Sequence, residues 1–188
     1  MISGYGKKGT WRNIWWRLRY PGVEWFDIVN EEGQKTGKAP RPVCHSGRPG
    51  YLHPVVHLHV ILPGDRLVLQ KRSLDKKIQP GKWDTAVGGH LSTGEKIIDA
   101  LYREAEEEIG LTGFTPIPLG RYPWESEVET ELVYLFYVRC DPTLRPQVSE
   151  VDELRAWEIT LLNRILPDDR FTPNFMHEFN LLREVLVK

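Results

Sequence analysis

The 188-residue sequence has little of three things that mark common protein classes: cysteine, long apolar runs and charge of one sign. Its two cysteines, Cys44 and Cys140, are far apart and lack CxxC spacing, which excludes a disulfide scaffold and a cysteine-based zinc site. No apolar stretch approaches the roughly 18 residues of a membrane span, and the first residues lack the apolar run of a signal peptide. A net charge of -1 gives no reason to expect a nucleic acid partner. We therefore expect a protein of the reducing cytoplasm.

What is present indicates one globular domain behind a basic arm. A hydrophobic content of 40%, a charged content of 27% and seven tryptophans argue against disorder. Residues 1–20 stand apart, because they hold five Lys/Arg, no acid and three tryptophans. This arm either packs its tryptophans on the domain, which is the favoured interpretation, or binds anions or a membrane surface. We expect the arm at 1–20 and a single domain at 21–188, with no second full domain.

Local patterns predict a mixed order of strands and helices without repeats. A first strand is predicted at Trp25–Val29, and a turn at 31–33 follows it. The runs HPVVHLHVIL and RLVLQKR are predicted to be strands joined by a turn at Pro63-Gly64-Asp65. Further strands are predicted near 117–122, at ETELVYLFYVRC and at 154–159. Residues 41–50 are rich in Pro, Gly and Ser and are predicted to be loop. Pro167 separates a short helical stretch from a final helix near 174–187.

A central helix is predicted near residues 94–109. Ser92 precedes Glu95 by three residues, as in a capping box, and Gly110 follows the last apolar position. At about 100° per residue, one face carries the apolar side chains that should form the core. These side chains are Ile97, Ile98, Leu101, Ala105 and Ile109.

Three glutamates of this helix, Glu104, Glu107 and Glu108, cluster beside the predicted core face, whereas Glu106 points to solvent. Such carboxylates repel one another, and we expect this face to lack the Lys or Arg partners that normally offset the repulsion. Hard divalent cations such as Mg²⁺ or Mn²⁺ prefer oxygen ligands of this kind. The alternative is an acidic solvated surface, which the run EAEEE alone would favour.

The surrounding spacing favours the metal site. From Gly89 the sequence has five residues before Glu95, seven more before Arg103-Glu104, and then AEEEIGL. This segment, residues 89–111, resembles the complete Nudix box GX5EX7REUXEEXGU. The resemblance implies an α+β Nudix fold, a mixed β-sheet sandwiched between helices. It implies that Glu104, Glu107 and Glu108 are catalytic metal ligands, and that Gly89, Glu95, Arg103 and Gly110 are structural, with an ion pair between Glu95 and Arg103.

The same resemblance implies a hydrolase that uses Mg²⁺ or Mn²⁺ to cleave a diphosphate linkage. Water would attack phosphorus in line, and one box glutamate or a later acid would help to deprotonate it. The expected partner is a small-molecule diphosphate, such as a nucleoside diphosphate derivative, and a homodimer is compatible with the sequence. Trp83, Tyr122 and Trp124 either stack on a base or belong to the core.

A wider stretch, QKRSLDKKIQPGKWDTAVGGHLSTGE, is similar to the Nudix branch that includes isopentenyl-diphosphate isomerase. This similarity implies that Arg72 and Lys76 contact the diphosphate, unless they are only solvated residues at a strand end. It also implies that His57, His90, Glu129 and Glu131 are metal ligands. Alternatively, the histidines at 53, 57 and 59, which share one parity, are hydrogen-bonded strand residues.

One departure separates the chain from the isomerase. The catalytic cysteine of that enzyme falls at Gly88, which has no side chain to relay a proton. Isomerase activity is therefore not expected. A non-catalytic Nudix-fold binding module is the main alternative, although such a module could lose box glutamates that are all retained here.

Overall fold

The computed structural model describes residues 15–47, 50–76, 78–147 and 151–186. These residues form two compact units. The first contains the described residues up to Val55, together with His90–Lys96 and Tyr122–Val133. The second contains Val56–Gly89, Ile97–Arg121 and the described residues from Tyr134 onward. Trp11 and most of the basic arm lie outside the described residues, so the expected division at residue 20 stays a prediction.

The first unit is organised around a hairpin and a small aromatic core. Strands β1 (Trp25–Val29) and β2 (Lys35–Pro40) pair antiparallel, which confirms the predicted hairpin. Helix α1 (Arg41–Cys44) follows directly, so the prediction of loop through residues 41–50 is wrong at its start. Pro42 explains this difference, because proline fixes φ near the helical value in a first turn. The buried core residues are Trp16, Phe26, Ala39 and Cys44.

Seven further strands form one sheet, with the order β5-β4-β3-β8-β7, where β6 pairs with β3 and β9 with β4. They are β3 (His53–Leu62), β4 (Arg66–Arg72), β5 (Trp83–Thr85), β6 (Val87–His90), β7 (Ile117–Glu125), β8 (Thr130–Arg139) and β9 (Val151–Glu158). The strands predicted from the sequence therefore form. The mixed sheet and its helices confirm the predicted α+β class. Among the described residues, no helix is long and apolar enough to cross a membrane.

Helices α3 (Ile159–Ile165) and α4 (Pro173–Leu186) belong to the second unit and supply much of its core. Apolar side chains of β3, β4 and β5 pack there with those of α3 and α4. The buried members are Ile61, Leu67, Leu69, Trp83, Ile159, Leu162, Phe171, Phe175, Phe179 and Leu182. Each such side chain stabilises the fold by about 1.5–3 kcal/mol through burial. Trp83 is thus a core residue, which answers one of the alternatives left open by the sequence.

Helix α2 (Ile97–Ile109) begins three residues later than predicted. Gly94 has a φ of +82°, which is not helical, and the Ser92 N–H donates to Glu95 Oε2 at 2.9 Å within the turn before the helix. The predicted end is confirmed, because Gly110 has a φ of +67° and the Leu111 N–H donates to the Ala105 carbonyl at 3.0 Å. Ile98 is exposed rather than in the core, and the buried positions are Ala100, Leu101, Ala105, Glu108 and Ile109.

Candidate functional site

Glu108 is a buried carboxylate on α2, only 5% exposed. Its Oε2 accepts a hydrogen bond from the Gly88 N–H at 3.0 Å and another from the Gln70 side-chain amide at 3.3 Å. Gly88 lies in β6 and Gln70 in β4, so two strands of the second unit fix one oxygen of this carboxylate. These two hydrogen bonds hold the buried carboxylate in one position and orientation.

Glu104 lies against the backbone of β6. A Cβ atom built on Gly89 would lie 2.0 Å from the Glu104 carboxyl carbon and 2.4 Å from its Oε1. Only glycine leaves room for the carboxylate at this place. The box glycine therefore has a steric role, because it allows the Glu104 side chain to approach the strand.

Arg103 contacts two of the three predicted metal ligands. Its Nη1 donates to Glu104 Oε1 at 2.6 Å and to Glu107 Oε2 at 3.1 Å. The expectation that this face lacks a balancing cation is therefore wrong, because the long arginine side chain reaches both carboxylates. The Glu107 side chain is 55% exposed, so its ion pair is worth little in stability. Glu106 is exposed, as expected.

The carboxylates of α2 form an oxygen-only donor set. Glu104 and Glu108 are held close to consecutive glycines of β6, and Arg103 joins Glu104 to Glu107. Oxygen donors of this kind suit Mg²⁺ or Mn²⁺. Because Gly89 has no side chain, the Glu104 carboxylate can lie close to β6. The oxygen chemistry of these residues therefore suits a divalent cation, and metal binding by them stays a prediction. The predicted ion pair between Glu95 and Arg103 stays a prediction.

A second group of potential ligands lies in the first unit. One ligand atom from each of His45, His53, His90 and Glu129 lies within 4.8 Å of the others. His45 caps the C-terminus of α1, His53 opens β3, His90 ends β6, and Glu129 precedes β8. We refer to these four residues as the histidine cluster. His90 and Glu129 were predicted ligands, whereas His45 and His53 were missed.

The hydrogen bonds of the histidine cluster leave ring nitrogens facing its centre. His53 Nδ1 is 2.7 Å from the Tyr51 carbonyl, which can only accept, so Nε2 carries the lone pair. Nε2 of His45 and Nε2 of His53 are buried without a hydrogen-bond partner among the described residues. They lie 2.9 and 3.6 Å from Glu129 Oε2, close but poorly aligned for hydrogen bonds. Buried ring nitrogens directed at a carboxylate fit a cation held between them.

The surroundings of His90 and Glu129 shift the pKa values of both groups. It lowers the pKa of His90 to about 4, against the smaller opposing effect of Glu129, so the ring is neutral at pH 7. Burial would raise the pKa of Glu129, but its interactions with His45, His53 and His90 outweigh burial and lower that pKa. The Phe26 ring stacks on His90 with centroids 4.7 Å apart, which fixes the imidazole plane. A neutral His90 beside an anionic Glu129 is in the protonation state that binds metal.

Other predicted ligands are placed differently. Glu131 Oε1 is 3.8 Å from His90 Nε2, at the edge of the histidine cluster. His57 is not part of this group, because its Nδ1 lies 2.5 Å from Glu178 Oε1 in the second unit. Contact between His57 and a metal, which the correspondence with the isomerase implied, stays a prediction. His53, His57 and His59 do lie in one strand, as their spacing predicted. That spacing does not show which of the three rings lies near Glu129, and no local pattern in the sequence indicates His45.

Arg72 and Lys76 were predicted to contact a diphosphate. Arg72 Nη1 donates to Asp84 Oδ2 at 3.0 Å and Arg72 Nε to the Ile78 carbonyl at 3.2 Å, so this guanidinium braces β4 and β5. Lys76 is half-buried in the following turn. Their contact with substrate stays a prediction.

Comparison with known proteins defines the class. The crystal structure of a Deinococcus radiodurans protein shares the fold, with a TM-score of 0.68 over 86% of this chain and 98% of that chain at 23% identity. The NUDIX domain model matches residues 52–179. The chain therefore belongs to the Nudix family.

Two relatives show which members of the family it is similar to. The uncharacterized Nudix hydrolase YfcD of Escherichia coli is 32% identical over 160 residues, 83% of this chain and 84% of that protein. An isopentenyl-diphosphate Delta-isomerase of Streptomyces griseus is 32% identical over 134 residues, 68% of each chain. Family membership and the hydrolase-named relatives make this chain an enzyme of the hydrolase class.

Proposed function

We propose that the protein hydrolyses a phosphoanhydride linkage in a nucleoside diphosphate derivative or a related small metabolite. Water attacks one phosphorus, and the bridging oxygen leaves with the other phosphate. The observation that carries this proposal is the buried carboxylate of Glu108, which Gly88 and Gln70 fix beside Glu104. A solvated acidic surface would need neither the burial of Glu108 nor the glycine under Glu104.

Glu104, Glu107 and Glu108 would hold Mg²⁺ or Mn²⁺. When bound, the metal would polarise phosphate oxygens and favour ionisation of water. The chain's own residues keep the carboxylates in place: the Gly88 N–H and the Gln70 amide hold Glu108, and Arg103 limits the repulsion between Glu104 and Glu107.

The histidine cluster would hold a further divalent metal. Three imidazoles and one carboxylate are donors that suit transition metals such as Zn²⁺ better than Mg²⁺, which prefers oxygen. Glu131 lies close enough to His90 to join the ligands after a small movement of its side chain. The two donor sets therefore differ in the metals that they would select.

The isomerase-named relative does not make isomerisation the better candidate. A Cβ atom on Gly88 would lie 3.2 Å from His57 Nε2 and 3.3 Å from its Cδ2. The imidazole thus lies beside the position from which a cysteine side chain would extend. Of the two cysteines, Cys44 is buried, and burial together with Glu129 raises the pKa of its thiol to about 12, so it is not a thiolate at neutral pH.

A panel screen tests this function and defines its substrate. Purified protein is incubated with Mg²⁺ or Mn²⁺ and nucleoside triphosphates, nucleotide sugars, dinucleoside polyphosphates, ADP-ribose or prenyl diphosphates. We expect metal-dependent cleavage of a phosphoanhydride in at least one of them. Absence of hydrolysis across the panel would favour the binding module, and interconversion of isopentenyl and dimethylallyl diphosphates at enzymatic rates would contradict the hydrolase.

A further inference from the structure

The final helix of the second unit delivers a carboxylate to the two histidines of β3 that lie outside the histidine cluster. Glu178 of α4 is fully buried, and its Oε1 lies 2.5 Å from His57 Nδ1. Its Oε2 lies 3.1 Å from His59 Nε2, poorly aligned for a hydrogen bond. His59 Nδ1 is in turn 3.2 Å from Thr85 Oγ1. We refer to His57, Glu178, His59 and Thr85 as the buried relay.

The buried relay holds an anion inside the core. Burial would raise the pKa of Glu178, but the hydrogen bond and charge of His57 and the proximity of His59 outweigh burial and lower that pKa. A carboxylate only accepts hydrogen bonds, so His57 Nδ1 must be the donor. Its other nitrogen, Nε2, then holds the lone pair when the ring is neutral, and Glu178 stabilises the ring when it is protonated.

The outer edge of His57 lies against Gly88. The nearest atoms to a Cβ built on Gly88 are His57 Nε2, Cδ2 and Cε1, at 3.2, 3.3 and 3.9 Å. The N–H of the same glycine donates to Glu108 Oε2. One residue is therefore flanked by the imidazole of the buried relay and by the carboxylate proposed to bind metal. The His57 side chain is 10% exposed, so it is not sealed from solvent.

We propose that His57 is the acid–base residue of this hydrolase and that Glu178 positions it, an inference that rests on the proposed function. As the oxygen of the attacking water bonds to phosphorus, the proton of that water passes to His57 Nε2. The phosphorus bond to the bridging oxygen breaks, and its electron pair stays on the leaving phosphate. The imidazolium, stabilised by Glu178, then returns its proton to the leaving phosphate or to solvent.

The alternative is a structural clamp that ties α4 to β3. A buried ion pair is weak evidence for stability, because apolar residues of similar volume often serve as well. A clamp also gives no reason for the His57 imidazole to lie against Gly88, a residue without a side chain whose N–H donates to Glu108. In the part of the chain that the structure describes, the charged and titratable groups near His57 include Glu178 from α4, His59 beyond Glu178 on the same strand, and Glu108 across Gly88.

The test uses the full chain and a substrate that wild type hydrolyses and Glu108→Gln does not. We compare pH profiles of kcat/KM for wild type, His57→Gln, Glu178→Gln and the control His177→Gln, an exposed histidine next to Glu178. In wild type, kcat/KM should fall at low pH as the base becomes protonated, which gives the profile an acidic limb. His57→Gln should lower kcat by about 10²–10⁴-fold and remove this limb. Glu178→Gln can still accept the hydrogen bond but lacks the charge, so it should move the limb to lower pH by about one unit or more.

The outcomes separate the two proposals. If His57→Gln and Glu178→Gln keep the wild-type limb and rate while Glu108→Gln is inactive, the relay is structural and the hydrolase stands. Loss of rate without any change in the limb would also overturn the inference. If His57→Gln does not fold, the isosteric Glu178→Gln decides alone by the position of its limb. If wild type hydrolyses no panel substrate, the proposed function fails, and the inference fails with it.

Discussion

The acidic helix and the histidine cluster are both candidate metal sites, yet they are built in opposite ways. On α2 the three carboxylates come from one helix within five residues, and Arg103 offsets part of their charge. In the histidine cluster three imidazoles and one carboxylate come from four separate segments, with two ring nitrogens that have no hydrogen-bond partner among the described residues. The first set offers oxygen, and the second offers mainly nitrogen.

The difference teaches how each site depends on the fold. The helix fixes the spacing of its glutamates by itself, and β6 contributes the glycines that let Glu104 and Glu108 approach. The histidine cluster exists only when distant segments of the first unit meet. A substitution on α2 should therefore affect chemistry with little effect on folding, whereas one in the histidine cluster should affect metal retention and the stability of its surroundings.

The largest expected effect is the loss of turnover in Glu108→Gln. The amide can still meet Gly88 and Gln70 but cannot serve as an anionic metal ligand. Turnover should fall by more than the roughly 100-fold that loss of an outer-shell partner costs. Initial rates at saturating metal, together with circular dichroism, measure activity and folding in the same samples.

Glu106→Gln is the matched control for this experiment, because Glu106 is an exposed glutamate two residues away on the same helix. It should keep wild-type turnover. Equal losses in the two variants would mean that general helix charge, rather than the geometry of Glu108, supports activity.

Gly89→Ala should give the next largest effect. Its new methyl group would meet the Glu104 carboxyl carbon at 2.0 Å, so the carboxylate must move. Because the end of a glutamate side chain is flexible, we expect the fold to survive and turnover to fall by about 10–100-fold. Gly37→Ala is the control, since a Cβ there meets nothing within 4 Å. Wild-type kinetics in Gly89→Ala would show that Glu104 need not lie against β6.

His53→Gln should separate the two metal sites. It removes an imidazole whose Nε2 faces Glu129, so affinity for Mn²⁺ or Zn²⁺ at the histidine cluster should fall by about 10-fold or more. Isothermal titration calorimetry of wild type, His53→Gln and the surface control His177→Gln measures this change. An unchanged isotherm in His53→Gln would remove the histidine cluster from the metal-binding groups.

The smallest expected effect is a pH dependence of stability in metal-free protein. The pKa of His90 is lowered from 6.5 to about 4, so between these values the folded state binds fewer protons than the unfolded state. The free energy of unfolding should therefore decrease as pH falls through this window, by about 1–2 kcal/mol between pH 7 and pH 5. Urea unfolding measures it, and His90→Gln should show a shallower dependence. If wild type and His90→Gln show the same change in unfolding free energy with pH, His90 is not the group that causes the pH dependence.

Prediction from the sequence succeeded where the determining interactions are local. The hairpin at Trp25–Val29, the end of α2 at Gly110 and the position of Glu106 follow from patterns that span a few residues. The start of α2 was misplaced, because the bond between Ser92 and Glu95 looks the same in sequence whether it caps a helix or closes a turn before one.

Long-range contacts explain what the sequence missed. Glu178 reaches His57 across 121 positions, and no periodicity links a residue of the last helix to an early strand. His45 belongs to a segment predicted as loop, where side-chain direction has no regular pattern. The ion pair between Arg103 and Glu107 differs from these contacts, because its i,i+4 spacing is visible in the sequence.

Hydrolysis in ¹⁸O-labelled water by wild type and Glu108→Gln tests the central claim most directly. With Mg²⁺ or Mn²⁺ and a substrate from the panel, wild type should place one ¹⁸O atom per turnover in a phosphate group of one product, as mass spectrometry would detect. Glu108→Gln should incorporate almost none. Label at carbon instead of phosphorus, or incorporation by Glu108→Gln at the wild-type rate, would contradict phosphoanhydride hydrolysis by the glutamate helix.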